Sequence, residues 1–240
     1  MSVAVEVNGL EKIYKGGNGV RDINFTVEEG NVVGMIGLNG AGKTTILKCL
    51  TSSIRNFKGE IKIFGHHSEE IEAKKKYSFL PEVFVPPPYL KGIELIDLFS
   101  SMAGRKTNKE LVRELCEILD FPHERLDEKI GNYSKGMKQK VSLIATICCD
   151  TPLFVLDEPM SGLDPLARFR LKQLFMSLKN NGKTLLFASH ILSDVEELAD
   201  KIVVIHEGHV IFTGSPSELI DSKSAKTLEE AFMKLIGGVH

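Results

Sequence analysis

Nine consecutive residues constrain this chain more than any others: Gly37-Leu38-Asn39-Gly40-Ala41-Gly42-Lys43-Thr44-Thr45. They satisfy G-x-x-x-x-G-K-[ST]. They also have the flanks that pattern requires, an apolar run at 32–36 before and a helical segment with Ile46, Leu47 and Leu50 on one face after. The glycines let the backbone curl until several N–H groups point at one centre, and the helix that starts there adds the positive end of its dipole. The result is a cradle for a phosphate chain. Lys43 brings a mobile positive charge to the β- and γ-phosphates of a nucleoside triphosphate such as ATP, and Thr44 offers a hydroxyl to Mg2+. A match of this length in this setting is not an accidental glycine-rich turn.

A loop of this kind belongs at the carboxyl edge of a parallel sheet, and the remaining sequence supplies one. From Val3 to about Gly65, short alternating or apolar runs (VAVEV, INFTV, VVGMIG, IKIF) separated by glycine-rich turns read as strands. From about Ile71 to Cys149 the periodicity is mostly helical, as in IELIDLFSSMAG and NKELVRELCEILD. VPPPY at 85–89 is an extended connector, because its prolines cannot continue a helix. From Pro152 strands and helices alternate again, and VVIHEGHVIF reads as a hairpin turning at Glu207–Gly208. The expected fold is α/β: a parallel-sheet core, an N-terminal antiparallel β portion and an inserted helical subdomain. The expected division is a core of 1–80 and 150–214, a helical part of about 81–149, and a short helical tail of 215–240.

The run LFVLD ends in a second acidic residue, giving Asp157-Glu158. Such a pair after a strand is by itself an ordinary solvated turn. At the carboxyl edge beside a phosphate loop, Asp157 can hold Mg2+ and Glu158 can orient and deprotonate an attacking water.

Composition narrows the function classes. Among 240 residues, 30 Lys+Arg against 32 Asp+Glu leave a net charge of −2, which argues against a protein that coats nucleic acid. With 42% hydrophobic and 26% charged residues the chain can bury a core and stay soluble. No secretory leader is legible and no apolar run approaches the ~20 residues needed to cross a bilayer, so a membrane role calls for another chain. Cys49, Cys116, Cys148 and Cys149 form no C-x-x-C pair and read as buried packing thiols in a reducing compartment.

With these elements in place, the chain resembles the nucleotide-binding subunit of an ABC transporter. Tyr133-Ser134-Lys135-Gly136-Met137 resembles the signature sequence, and Ser161-Gly162-Leu163-Asp164 the loop after the acidic pair. His190 falls where the switch histidine does, Glu82 takes the place of a usual glutamine, and Tyr14 suits the aromatic that stacks on adenine. Seven elements in order span essentially the whole chain. Ser134 also caps the helix that follows it, and a capped helix start with Gly136 beside it is itself an anion site. That second site lies about ninety residues beyond the phosphate loop and has no partner within one subunit. The resemblance supplies one: two copies, or this chain and a similar ATPase, pack head to tail, with Ser134 and Gly136 of one closing on the γ-phosphate held by the other.

The resemblance further implies ATP hydrolysis coupled to a separate polytopic permease, at the cytoplasmic face of the cell membrane. Lys135 and Met137 depart from the usual signature, and Glu82 puts a carboxylate where an amide is usual. Both departures are similar to exporters of the drug and antibiotic-resistance type. The resemblance also places the permease contact near Glu82, with prolines 86–88 and the apolar face of IELIDLFSSM as candidates. A soluble ABC-type ATPase of the iron–sulfur assembly kind is the alternative. A small-molecule kinase would need neither the signature nor His190.

Overall fold

Apolar runs that do not alternate need cover on both faces, and the chain provides it in three layers. In the computed structural model, which describes residues 2–238, one layer is a small antiparallel sheet. It is built from β1 (Val3–Ile13), β2 (Gly19–Glu28), β4 (Lys58–Ile63) and β5 (His66–His67), in the order β2-β1-β4-β5. The central layer is a six-stranded sheet of β3 (Val32–Ile36), β6 (Tyr77–Leu80), β7 (Leu153–Asp157), β8 (Thr184–Ser189), β9 (Lys201–His206) and β10 (His209–Gly214). Its order is β10-β9-β3-β8-β7-β6, with only the edge strand β10 antiparallel to its neighbour.

The pleat sorts each run between two cores. Val33, Met35, Val155, Leu186 and Ile205 face the small sheet and α1 (Lys43–Leu50), where Ile46, Leu47 and Leu50 meet them. Their neighbours Val32, Ile36, Phe154, Leu156, Phe187 and Val204 face the opposite helical layer. Each large apolar side chain buried this way contributes about 1.5–3 kcal/mol, so the central strands tolerate no polar face.

Helices fill the third layer. Between β6 and β7 come α3 (Gly92–Met102), α4 (Lys109–Ile118), two 3-10 turns (His123–Asp127 and Ile130–Asn132) and α5 (Lys135–Cys148). After β7 come α6 (Pro165–Asn180), capped by Asp164 through the Ala167 N–H at 2.9 Å, and α7 (Leu192–Leu198). α8 (Pro216–Ser222) and α9 (Leu228–Gly237) follow β10. One sequence expectation needs correction. The helical texture beginning at Ile71 yields only the one-turn α2 (Ile71–Lys74), and Tyr77–Leu80 is then a strand paired in parallel with β7. Four residues are too few to show a period, and their pairing rather than their pattern makes them a strand. The four cysteines are buried and unbonded, and burial pushes their thiols up to about 11, or about 12 for Cys148.

Candidate nucleotide site

Parallel pairing puts the carboxyl ends of β3, β8, β7 and β6 along one edge, and the residues just past those ends share one cavity. β3 delivers the loop 37–42, β8 delivers His190, β7 delivers Asp157 and Glu158, and β6 delivers Glu82. The cavity measures about 420 Å3 and is lined by Asn39 through Thr45 together with Glu82, Asp157, Glu158 and His190. This is the crevice that open α/β sheets reserve for ligands.

The loop is shaped by glycine where nothing else fits. Gly42, immediately before α1, has φ 115°, and a Cβ there would come within 2.4 Å of the Val20 Cγ1. The opening turn of α1 presents N–H groups that the helix itself cannot pair. Lys43 folds over the loop, donating to the carbonyls of Gly37 at 2.7 Å and Leu38 at 3.2 Å. Burial lowers its pKa, while Glu158, Asp157 and Glu82 act to hold its proton. Gly37 and Leu38 thus serve the site through their carbonyls and do not line the cavity.

Asp157 is 1% exposed, and neither carboxylate oxygen has a hydrogen-bond partner. Burial raises its pKa, with Glu82 and Glu158 adding to the rise. The nearby Thr44 hydroxyl pulls the other way without forming a bond of normal geometry. A buried anion with both oxygens free, facing a hydroxyl, is a donor set for a hard cation. Among the described residues no group of three or more His, Cys, Asp or Glu could hold a metal unaided, so further oxygen ligands would have to come from a ligand in the cavity.

Glu158 is also buried, and its φ of 51° lies in the left-handed region. Its own C=O accepts from the Ser161 N–H at 3.0 Å, and its N–H donates to the Ala188 carbonyl at 3.0 Å. This turn directs the side chain toward the end of β8, where Glu158 Oε2 lies 2.9 Å from His190 Nδ1. The pair therefore joins two strand ends across the cavity.

Tyr14 stands at the rim just past β1, 42% exposed, with its hydroxyl 3.4 Å from Thr45 Oγ1 and the Lys12 ammonium 5.5 Å from its ring centre. Ser134 and Gly136 lie elsewhere and do not line this cavity. Ser134 caps α5 by accepting from the Met137 N–H at 3.2 Å, as its sequence context predicts. A Cβ on Gly136 would first meet the Gly162 carbonyl, 3.9 Å away, so this turn sits beside the 161–164 loop. From the sequence, Glu207–Gly208 reads as a hairpin turn alone. That turn packs directly behind the phosphate loop, with the Gly208 N–H donating to the Ala41 carbonyl at 3.1 Å.

Comparison with known proteins agrees with this geometry. The family profile described as ABC transporter matches residues 20–161. An uncharacterized ABC transporter ATP-binding protein of Synechocystis is 33% identical over 226 residues, or 90% of this chain and 64% of that protein. The chain therefore spans just under two thirds of that relative's length. The bacitracin transport ATP-binding protein BcrA of Enterococcus faecalis is 32% identical over 223 residues, 91% of this chain and 71% of that one. A solved structure described as the ATP binding subunit of an ABC transporter superposes with a TM-score of 0.88 at 29% identity, covering 97% of this chain and 99% of that one. The chain therefore belongs to the ABC transporter family.

Proposed function

We propose that this chain hydrolyses ATP with Mg2+ between two head-to-tail copies and so drives a separate membrane permease. The observation that carries the reading is the convergence, on one cavity, of the phosphate loop, the unpaired Asp157 carboxylate and the Glu158–His190 pair at 2.9 Å. The loop N–H groups and Lys43 bind the phosphates, and Tyr14 offers a face to the base. Thr44 and Asp157, with Glu82 at the cavity wall, would hold Mg2+, whose chemistry is to neutralise charge on the β- and γ-phosphates. Glu158 accepts a proton from water as its oxygen attacks the γ-phosphorus and the bond to the β-phosphate oxygen breaks. As an imidazolium, His190 fixes the Glu158 carboxylate through Nδ1–H and offers its Nε2–H as a donor to the departing phosphoryl group.

Ser134 is exposed, and neither it nor Gly136 lines the cavity of its own subunit, which supports their use as a lid on the partner copy's nucleotide. On this reading the core, 1–80 and 150–214, cradles ATP. The helical part, about 81–149, supplies the lid, and the tail from 215 carries α8 and α9 as an appended pair of helices. Among the described residues no helix is long and apolar enough to cross a membrane, and we place the chain at the cytoplasmic face against its permease. The candidate contact needs one revision: Pro86, Leu95 and Ile96 are buried, whereas Val83, Val85, Tyr89, Leu98 and Met102 are exposed. An exposed apolar set beside Glu82 is a surface for a partner. Export is the direction we favour, supported by the name of a 34% identical relative, the Nod factor export ATP-binding protein I of Burkholderia orbicola.

The test is Glu158→Gln. The variant should keep ATP affinity, lose about 10²–10⁴-fold in turnover, and accumulate as an ATP-bound dimer in size-exclusion chromatography with light scattering. A variant that turned over at the wild-type rate, or stayed monomeric with ATP and Mg2+, would overturn the mechanism.

A further inference from the structure

The turn between β9 and β10 has two residues, Glu207 and Gly208, both with positive φ (46° and 79°), the form that matches the twist of a hairpin. A turn of this kind asks for a left-handed backbone at position 208, and nothing more. The structure asks for more. Both backbone groups of Gly208 are spent outside the hairpin: its N–H donates to Ala41 in the phosphate loop at 3.1 Å, and its C=O accepts from the Arg21 N–H at 2.8 Å. A Cβ on Gly208 would lie 2.3 Å from the carbonyl oxygen of Gly19. Gly208 is therefore wedged between the start of β2 and the back of the loop, with no room for a side chain.

The wedge has a directional consequence. In a planar trans peptide the C=O and N–H point in opposite directions. Holding the Ala41 carbonyl outward against Gly208 therefore turns the N–H of Gly42 inward, toward the cradle. Gly208 itself does not line the cavity. We infer that Gly208 is a positioning residue for nucleotide binding, a brace that sets the Ala41–Gly42 peptide so that its N–H faces the phosphates. This rests on the ATP-binding role given above.

Gly65 provides a matched control. It lies between β4 and β5 with φ 80°, and a Cβ there would meet nothing within 4 Å. Gly65→Ala thus imposes the same backbone strain without touching the brace. Equilibrium titration with a fluorescent ATP analogue should show Gly208→Ala weakened about tenfold or more, its KM for ATP rising by more than its kcat falls, with Gly65→Ala unchanged in both. Wild-type affinity in Gly208→Ala would overturn the inference, as would equal losses in the two variants. Should Gly208→Ala fail to fold, hydrogen exchange on the wild-type protein decides. ATP with Mg2+ should slow exchange at 206–209 together with 38–43, and protection of 38–43 alone would refute the brace. If the wild-type protein bound no ATP, the functional reading would fall first and the brace with it, an outcome distinct from the loss of the brace alone.

Discussion

Asp157 is the most expensive side chain in the site. A buried carboxylate with two unpaired oxygens costs on the order of 1–3 kcal/mol or more, and burial is the main cause of its raised pKa, with Lys43 the weakest of the influences on it. Asp157→Asn should therefore stabilise the nucleotide-free protein at pH 7 by ~1–3 kcal/mol in urea titrations while abolishing Mg2+-dependent turnover. The pH dependence has a definite sign. Well below the ordinary aspartate pKa of about 3.9 the carboxyl is neutral folded and unfolded, so the penalty is absent there. It grows as pH rises through the unfolded and then the folded pKa, and the advantage of Asn should shrink to nothing on acidification. A lower urea midpoint for Asp157→Asn at pH 7 would contradict this account. The type and rank of the site residues were legible in the sequence, because glycines, a lysine and paired acids at fixed spacing have few other uses. The closure of Lys43 onto Gly37 and Leu38 and the contact of Glu158 with His190 were not, since each depends on a distance that spacing does not encode.

Among the elements, α5 caps itself at its first turn, and we assign that turn a second duty as the lid. Ser134 pairs the Met137 N–H, and Ser134→Ala should cost about 1 kcal/mol of stability through the lost cap. Ser134→Asp separates the duties. A carboxylate caps as well as a hydroxyl and suits the helix dipole, so the melting temperature should hold, but it sets a negative charge where the lid must meet a phosphate. Light scattering should then show loss of the ATP-dependent dimer at unchanged stability. A Ser134→Asp protein that dimerised with ATP as the wild type does would remove Ser134 from the lid. The cap was readable from Ser134 standing before a helical run. β6 was not, because YSFL at an edge alternates over only four residues and owes its strand to pairing with β7. Pro86 was likewise misjudged as a surface candidate, since the proline run fixes an extended backbone but not which of its residues turns inward.

Across the whole molecule, the site exists because five strands run the same way. Parallel pairing from β9 to β6 gathers to one edge residues as far apart in the chain as Asn39 and His190. The exposed Val83, Val85 and Tyr89, close in sequence to Glu82, are the surface we propose for a permease. Affinity purification from detergent-solubilised membranes should recover a polytopic protein, and charged substitutions at Val83 and Val85 should release it while ATP binding persists. Recovery of soluble partners alone would argue for a role outside transport. Local chemistry wrote the phosphate loop, the acidic pair, the helix caps and the two-sided burial of the central strands into the chain, because turns, caps and pleats are set by neighbours a few residues away. Which strand lies beside which, the wedge of Gly208 behind Ala41 and the placing of Gly136 beside the 161–164 loop arose from long-range packing. Those contacts depend on how two cores and three layers fit together, and that fit is a property of the folded volume rather than of any segment.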